Sequence, residues 1–312
     1  MPSRATLLDA HAGGLERAEA REVRRVAAAY RQARQEIVDR LVTQWNGLVG
    51  QRTLTPEQAA ALFRQSSLLQ QIDARLQQLE NELGMNLRSI VNSSSELAVE
   101  QVRQELALLP PTLRPDHPGM FTRIDTRMVE QFVPVAMHDV QLGTRALSLT
   151  IQRELQTGLL QGESLDRLVG RVMAPGVTGN GASPWRRGEL SAELATRRLV
   201  ITSGNGAKQA ALQEAQQVVP AIQKQAVATI GPNTTDCCLR VHGQIQPIDQ
   251  LFELIGTPRF ADRMQYPGFH WCCRTGITMW HPVFERSGLT TANMRKSAEA
   301  QLAQNGGRSG GN

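Results

Sequence analysis

Aromatic side chains are scarce in this chain: Phe, Trp and Tyr make up 4% of its 312 residues. That argues against a large aromatic-lined cofactor pocket and for helix-on-helix packing of Leu, Val and Ala. Lysine is nearly absent as well. Lys208, Lys224 and Lys296 are the only three, so arginine supplies almost all the positive charge behind a net +5 and a pI of about 9.4. No dense basic run exists, because Arg is interleaved with Glu and Asp. The basic balance suits a phosphate-rich partner such as double-stranded DNA, while the interleaving is equally that of a solvated helix face. No run of about 18 consecutive apolar residues occurs, which excludes an apolar membrane-spanning helix. The opening MPSRATLLDAHAGG lacks the apolar core of a secretory signal, so a cytoplasmic origin is expected. Cysteine is limited to two vicinal pairs, Cys237-Cys238 and Cys272-Cys273. In a reducing compartment such pairs point to metal or to chance before disulfide.

What is present is helical periodicity. Val23, Val26, Tyr30, Ala33, Ile37, Leu41, Trp45 and Leu48 step by threes and fours, which predicts a long helix from Leu15 to about Val49. Thr55-Pro56-Glu57 reads as a cap with Pro at the first helical position. The helix it opens carries Leu62, Leu69, Ile72, Leu76, Leu79 and Leu83 at near-heptad spacing. Gly84 and Ser93-Ser94-Ser95 are expected to break or bend it, with a third helix from about Glu96 to Leu109. A bundle or hairpin core is favoured over an oligomerising coiled coil. Pro110-Pro111, Pro115 and Pro118-Gly119 mark a boundary. Helices follow from about Asp125 through Val140 with a bend at Pro134, from Leu142 to Leu160, and from Ser164 to Met173. Another runs from Arg186 to Val219, interrupted at Ser203-Gly204-Asn205-Gly206. Beyond Pro220 the pattern changes to two strand candidates, Gln225–Ile230 and Arg274–Trp280.

The expected fold class is therefore mainly α: a long-helix N-terminal domain plus a small α+β C-terminal domain. The expected divisions are a helical hairpin or bundle at 1–110, a helical segment at 120–220, a small α+β Cys/His module at 221–290, and a disordered tail at 304–312.

Between the two strands lies the cluster richest in chemistry, TTDCCLRVHG followed after a spacer by FHWCCRTG. Its candidate metal ligands are Cys237, Cys238, His242, His270 and Cys273. Cys238-x3-His242 and His270-x2-Cys273 supply two ligand pairs from two short segments, as a tetrahedral site requires. Thiolate and imidazole donors select zinc over magnesium or calcium. A structural zinc would staple a module with little core of its own. Buried thiols without metal, a disulfide between the pairs, and ordinary hydrogen-bonding histidines stand as the alternatives. A Cys–His nucleophile would want an orienting Asp236 or Asp249, and nothing marks a substrate pocket or oxyanion hole, so no enzyme activity is expected. The Gly-Asn-Gly-Ala at Gly204 lacks the pattern of a phosphate-binding loop.

The segment from about Gly162 to Pro282 resembles the C-terminal domain of phage head morphogenesis proteins, the Mu protein F-like minor head family. Arg197-Arg198 to Ala215 is similar to the family's helix, and Gln225 to Ile230 to its strand. Asp236, Cys238 and Gly243 are similar to its turn, and Pro267-Gly268-Phe269-His270-Trp271-Cys272-Cys273-Arg274 to its closing stretch. The chain departs from the family where Thr235 and Thr275 stand in place of cysteines. The resemblance implies a low-copy structural protein of a tailed phage particle, made in the host cytoplasm and held in the head and portal region of the virion. Its implied partners are the portal protein, the major capsid or scaffolding protein and double-stranded DNA, while the long helical faces also allow self-association into a homo-oligomer. A DNA-binding accessory factor is the alternative, and an effector or enzyme module a more distant one.

Overall fold

The computed structural model describes residues 3–48, 55, 58, 61–62, 67–115, 130–174, 183–254, 263–264, 267–268, 273–286 and 290–305. It is mainly α with a small α+β region, as expected from the sequence. Helix α1 runs Arg4–Leu48, α2 Leu68–Leu106, α3 Phe132–Leu160, α4 Leu165–Met173, α5 Pro184–Val218, α6 Asp236–Val241 and α7 Thr291–Gln304. The strands are β1 Gln223–Ala228, β2 Ile245–Gln246, β3 Phe252–Glu253, β4 Arg263–Met264 and β5 Thr275–Trp280. Strand β1 lies between β2 and β5, antiparallel to both, with Gln223 opposite Trp280 and Ala228 opposite Thr275. β3 and β4 form a separate two-stranded ribbon.

The chain gathers into two compact units, each assembled from separated stretches. The first comprises Met1–Ala20, Arg88–Val133 and Arg197–Asn312, the second Arg21–Leu87 and Pro134–Thr196. The divisions near 110 and 220 expected from the sequence both fall inside the first unit, because α1, α2 and α5 each contribute to both units.

In the second unit most of the predicted stripes are buried, with Val23, Trp45 and Leu62 half-buried. Val26, Tyr30, Ala33, Ile37 and Leu41 of α1 are core, and so are Ile72, Leu76, Leu79 and Leu83 of α2. Leu68, not Leu69, heads the α2 stripe. Arg75 is fully buried and is held by Glu36 at 2.5 Å and Glu82 at 3.6 Å. Ahead of α2, Thr55 and Gln58 exchange reciprocal capping bonds, Thr55 N–H to Gln58 Oε1 at 3.0 Å and Gln58 N–H to Thr55 Oγ1 at 3.4 Å.

Three expected interruptions, at Gly84, at Ser93-Ser94-Ser95 and at Ser203–Gly206, are absent. Helix α2 passes through Gly84 and Ser93-Ser94-Ser95 without a break. Ser95 donates its hydroxyl to the Val91 carbonyl at 2.7 Å and Ser93 to Ile90 at 3.2 Å, so these side chains bond back onto their own helix. Gly84 is an approach point, since a Cβ there would come within 3.1 Å of Met137 Sδ. A turn at Gln131 separates helical Glu130 from α3, which runs from Phe132 with Pro134 as its third residue, where a missing N–H costs no intrahelical bond. Residues 125–129 of the helix expected there lie outside the described residues. Helix α5 continues through Ser203–Gly206, with Ser203 bonded to the Leu199 carbonyl at 2.6 Å. Ser164 occupies the N-cap position of α4 without a capping bond from its side chain. Residues 306–312 of the expected disordered tail lie outside the described residues.

Asn205 explains why polar residues sit in the middle of α5. In the first unit its amide donates to the Thr275 carbonyl at 3.0 Å and the Pro267 carbonyl at 3.2 Å, and its Oδ1 accepts from Ile277 N–H at 3.0 Å. One buried side chain thus supplies hydrogen bonds for the open side of β5. The apolar core of this unit includes Val102 and Leu106 of α2, Ala211 and Leu212 of α5, and Ile277 and Met279 of β5. Removing both functions of this amide should be costly, because three buried backbone groups lose partners. Asn205→Ala is expected to lower unfolding free energy by about 2–4 kcal/mol, read from chemical denaturation. A loss below about 0.5 kcal/mol would show that water or rearrangement replaces the amide.

Candidate functional site

Helix α6 begins at Asp236, with Thr235 in extended conformation at its N-cap, so Cys237 and Cys238 lie in its first turn. Both thiols are buried, and the Cys237 Sγ contacts Thr235 Oγ1 at 3.2 Å. The chain leaves α6 through His242 and Gly243. His242 Nδ1 accepts the Ala228 N–H at 2.9 Å, which requires an unprotonated nitrogen there. Gly243 has φ of +79° and donates its N–H to the Ala226 carbonyl at 2.8 Å. A Cβ at Gly243 would lie 3.1 Å from Met294 Cβ, so glycine is required by conformation and by space.

Cys273 precedes β5 and is also buried. Its Sγ lies 3.8 Å from Cys238 Sγ, although 35 residues separate the two in the chain. The structure thus brings Cys238 and Cys273 together, sets Cys237 beside them, and commits one nitrogen of His242 to the backbone of β1. His270 and Cys272 lie outside the described residues. Among the described residues, no group of three or more His, Cys, Asp or Glu is arranged to hold a metal ion.

The electrostatics of this cluster follow from burial. Hydrogen bonding to the Cys237 and Cys273 thiols, together with burial, pushes the Cys238 thiol well above its ordinary range. Burial, reinforced by the positive charge of Arg295, pulls His242 down to about 4. Arg295 is held in place by its hydrogen bond to the Arg240 carbonyl at 2.5 Å.

A second polar cluster, which the sequence reading missed, lies in the same unit. Glu105 near the end of α2 is buried, with Lys208 Nζ of α5 at 2.8 Å and His11 Nδ1 of α1 at 3.2 Å. Its Oε2 accepts the Met279 N–H of β5 at 2.6 Å. Burial alone would raise its pKa, but Lys208 and His11 outweigh that effect and hold the carboxyl at about 2. Arg4 is buried nearby, donating to Gln225 Oε1 at 2.7 Å and the Met279 carbonyl at 3.0 Å, over the Phe284 ring. The available signal was Lys208 itself, a rare lysine set among Gly204, Ala207, Ala211 and Leu212 on a helix face. Lys224 of β1 is also buried, 3.4 Å from Gln209 Oε1, and burial lowers it to about 8 against the opposing pull of Asp249.

A scan against protein-family models, a search of curated proteins and a search of solved structures each found no match to this chain.

Two titrations should shape acid stability. His242 is lowered from 6.5 to about 4, so its contribution is complete above pH 6.5 and declines as pH falls towards 4. Glu105 is lowered from 4.5 to about 2, so its contribution is complete above pH 4.5 and is lost as pH falls through 2. Thermal melting across this range should show both declines. Glu105→Gln should remove the lower one and cost about 3–5 kcal/mol at neutral pH by leaving Lys208 buried without its anion. A neutral-pH melting temperature equal to that of the parent would refute the pairing.

Proposed function

We propose that this chain is a structural minor head protein of a tailed phage, acting at the portal during head assembly, and that it carries out no chemical step. One observation carries the reading. The motif residues that resemble the Mu protein F-like family run from Arg197 to Arg274, and those that are described lie in the first unit, while Gly162–Thr196 of the resembling segment belongs to the second. Asn205 of α5 bonds β5, β5 pairs with β1 along its full length, and Gly243 turns the chain back onto β1. No described helix is long and apolar enough to cross a membrane. The interleaved positive charge is compatible with DNA passing nearby.

Zinc is the structural cofactor this reading takes for the cysteine cluster. Two thiolates on a tetrahedral zinc with bonds of about 2.3 Å stand about 3.8 Å apart, and the Cys238 and Cys273 sulfurs are 3.8 Å apart. These two residues would hold one edge of the tetrahedron. The ion would supply cross-linking, not catalysis. Protein purified from a reducing cytoplasm should carry about one zinc per chain, and Cys273→Ser should release it. Metal-free protein whose melting is unchanged by chelator would exclude zinc.

The assignment itself is tested by quantitative mass spectrometry of purified particles alongside affinity capture with the portal protein. Low-copy presence and co-purification are the expected results. Absence from both would overturn the reading, and salt-dependent binding to duplex DNA would then favour an accessory DNA-binding role.

A further inference from the structure

We infer that Cys238 and Cys273 are a cross-linking pair. On meeting a low-molecular-weight disulfide such as oxidised glutathione, they close into one protein disulfide that fastens α6 to the start of β5. The two sulfurs are 3.8 Å apart. A disulfide requires about 2.05 Å, so the bond needs an approach of about 1.8 Å, well within the reach of side-chain rotation.

That proximity is built by the backbone on both sides. Strand β5 is paired with β1 from Thr275 to Trp280, starting two residues after Cys273. The exit of α6 is tied to the same strand by the Ala228–His242 and Gly243–Ala226 hydrogen bonds. Both cysteines therefore hang from β1, and their separation follows from the sheet instead of from the 34 residues between them. The neighbouring thiol, Cys237, contacts Thr235 and also hydrogen-bonds Cys238, but it is adjacent to Cys238 in the chain. A bond from Cys237 to Cys238 would also have to close a strained ring between adjacent residues.

The chemistry balances with a single co-reactant. One thiolate of the pair attacks the small disulfide, forming a mixed disulfide and expelling one small thiol. The second thiolate then attacks the protein sulfur of that mixed disulfide and expels the other small thiol. The protein loses two thiol protons and two electrons, and the small disulfide gains them as two thiols. Both sulfurs are buried, so the exchange in folded protein is slow. The inference rests on sulfur geometry and does not depend on the head-protein reading. An ion held by the same sulfurs would have to leave first.

The test uses the full chain, treated with chelator, incubated with oxidised glutathione, then alkylated and digested for peptide mapping. The expected product is lighter by two hydrogens, contains a peptide pair joined through Cys238 and Cys273, and reverts with dithiothreitol. Closing this loop should raise the melting temperature by about 5 °C. Cys237→Ser should still form the link, while Cys273→Ser should not. The inference is overturned if all four cysteines remain alkylatable, if only glutathione adducts form, or if the mapped bond uses Cys237 or Cys272. Mapping the unsubstituted chain decides the matter even if a variant fails to fold.

Discussion

A carboxylate stripped of water is among the most expensive groups to bury, and the first unit is organised around one. Glu105 accepts from β5, is paired with Lys208 of α5 and is met by His11 of α1. These four elements come from widely separated parts of the sequence, and each supplies a group that the carboxylate needs. Packing in this region therefore has little freedom. An apolar core of Val102, Leu106, Ala211 and Met279 could slide by a rotamer or a turn, but the donors around Glu105 could not follow. Arg4 repeats the device at the edge of the sheet, satisfying a carbonyl of β5 and a side chain of β1.

The fold was legible where burial is apolar and periodic. The α1 stripe through Tyr30, Ile37 and Leu41, and the strands β1 and β5, follow directly from spacing. Gly and Ser within a helical pattern read as local breakers, and here they are not. Gly84 is where a methionine from another helix comes close, and Ser93, Ser95 and Ser203 bond to carbonyls of the preceding turn. Asn205 looked like loop chemistry because its partners, on β5 and at Pro267, are more than sixty residues away. Helix α7 went unread because only Met294 and Ala298 of its residues are buried, too few to show a period.

The candidate site was legible in part. Two vicinal cysteine pairs between the strand candidates point to one from each meeting, and Cys238 meets Cys273. The role of His242 was not legible, since its Nδ1 partner is a backbone N–H that leaves no mark in a sequence. The Glu105 cluster was hidden for a related reason. In a chain with 29 acidic residues, nothing local distinguishes the carboxylate that will be buried from those that will not.

The two units are interleaved along the chain, and this bears on how a ribosome delivers them. The second unit ends at Thr196, so all of its parts are available while more than a hundred residues remain to be made. The first unit needs Arg4 and His11 from the start of the chain, Glu105 from its middle and β5 near its end. It can close only after Met279 has emerged. Until then the first turns of α1 and the last turns of α2 wait without their partners, with Arg4, His11 and Glu105 hydrated. The inner stretch can thus be folded while the outer one is still gathering its ends, and the first unit assembles last because its sequence brackets the second.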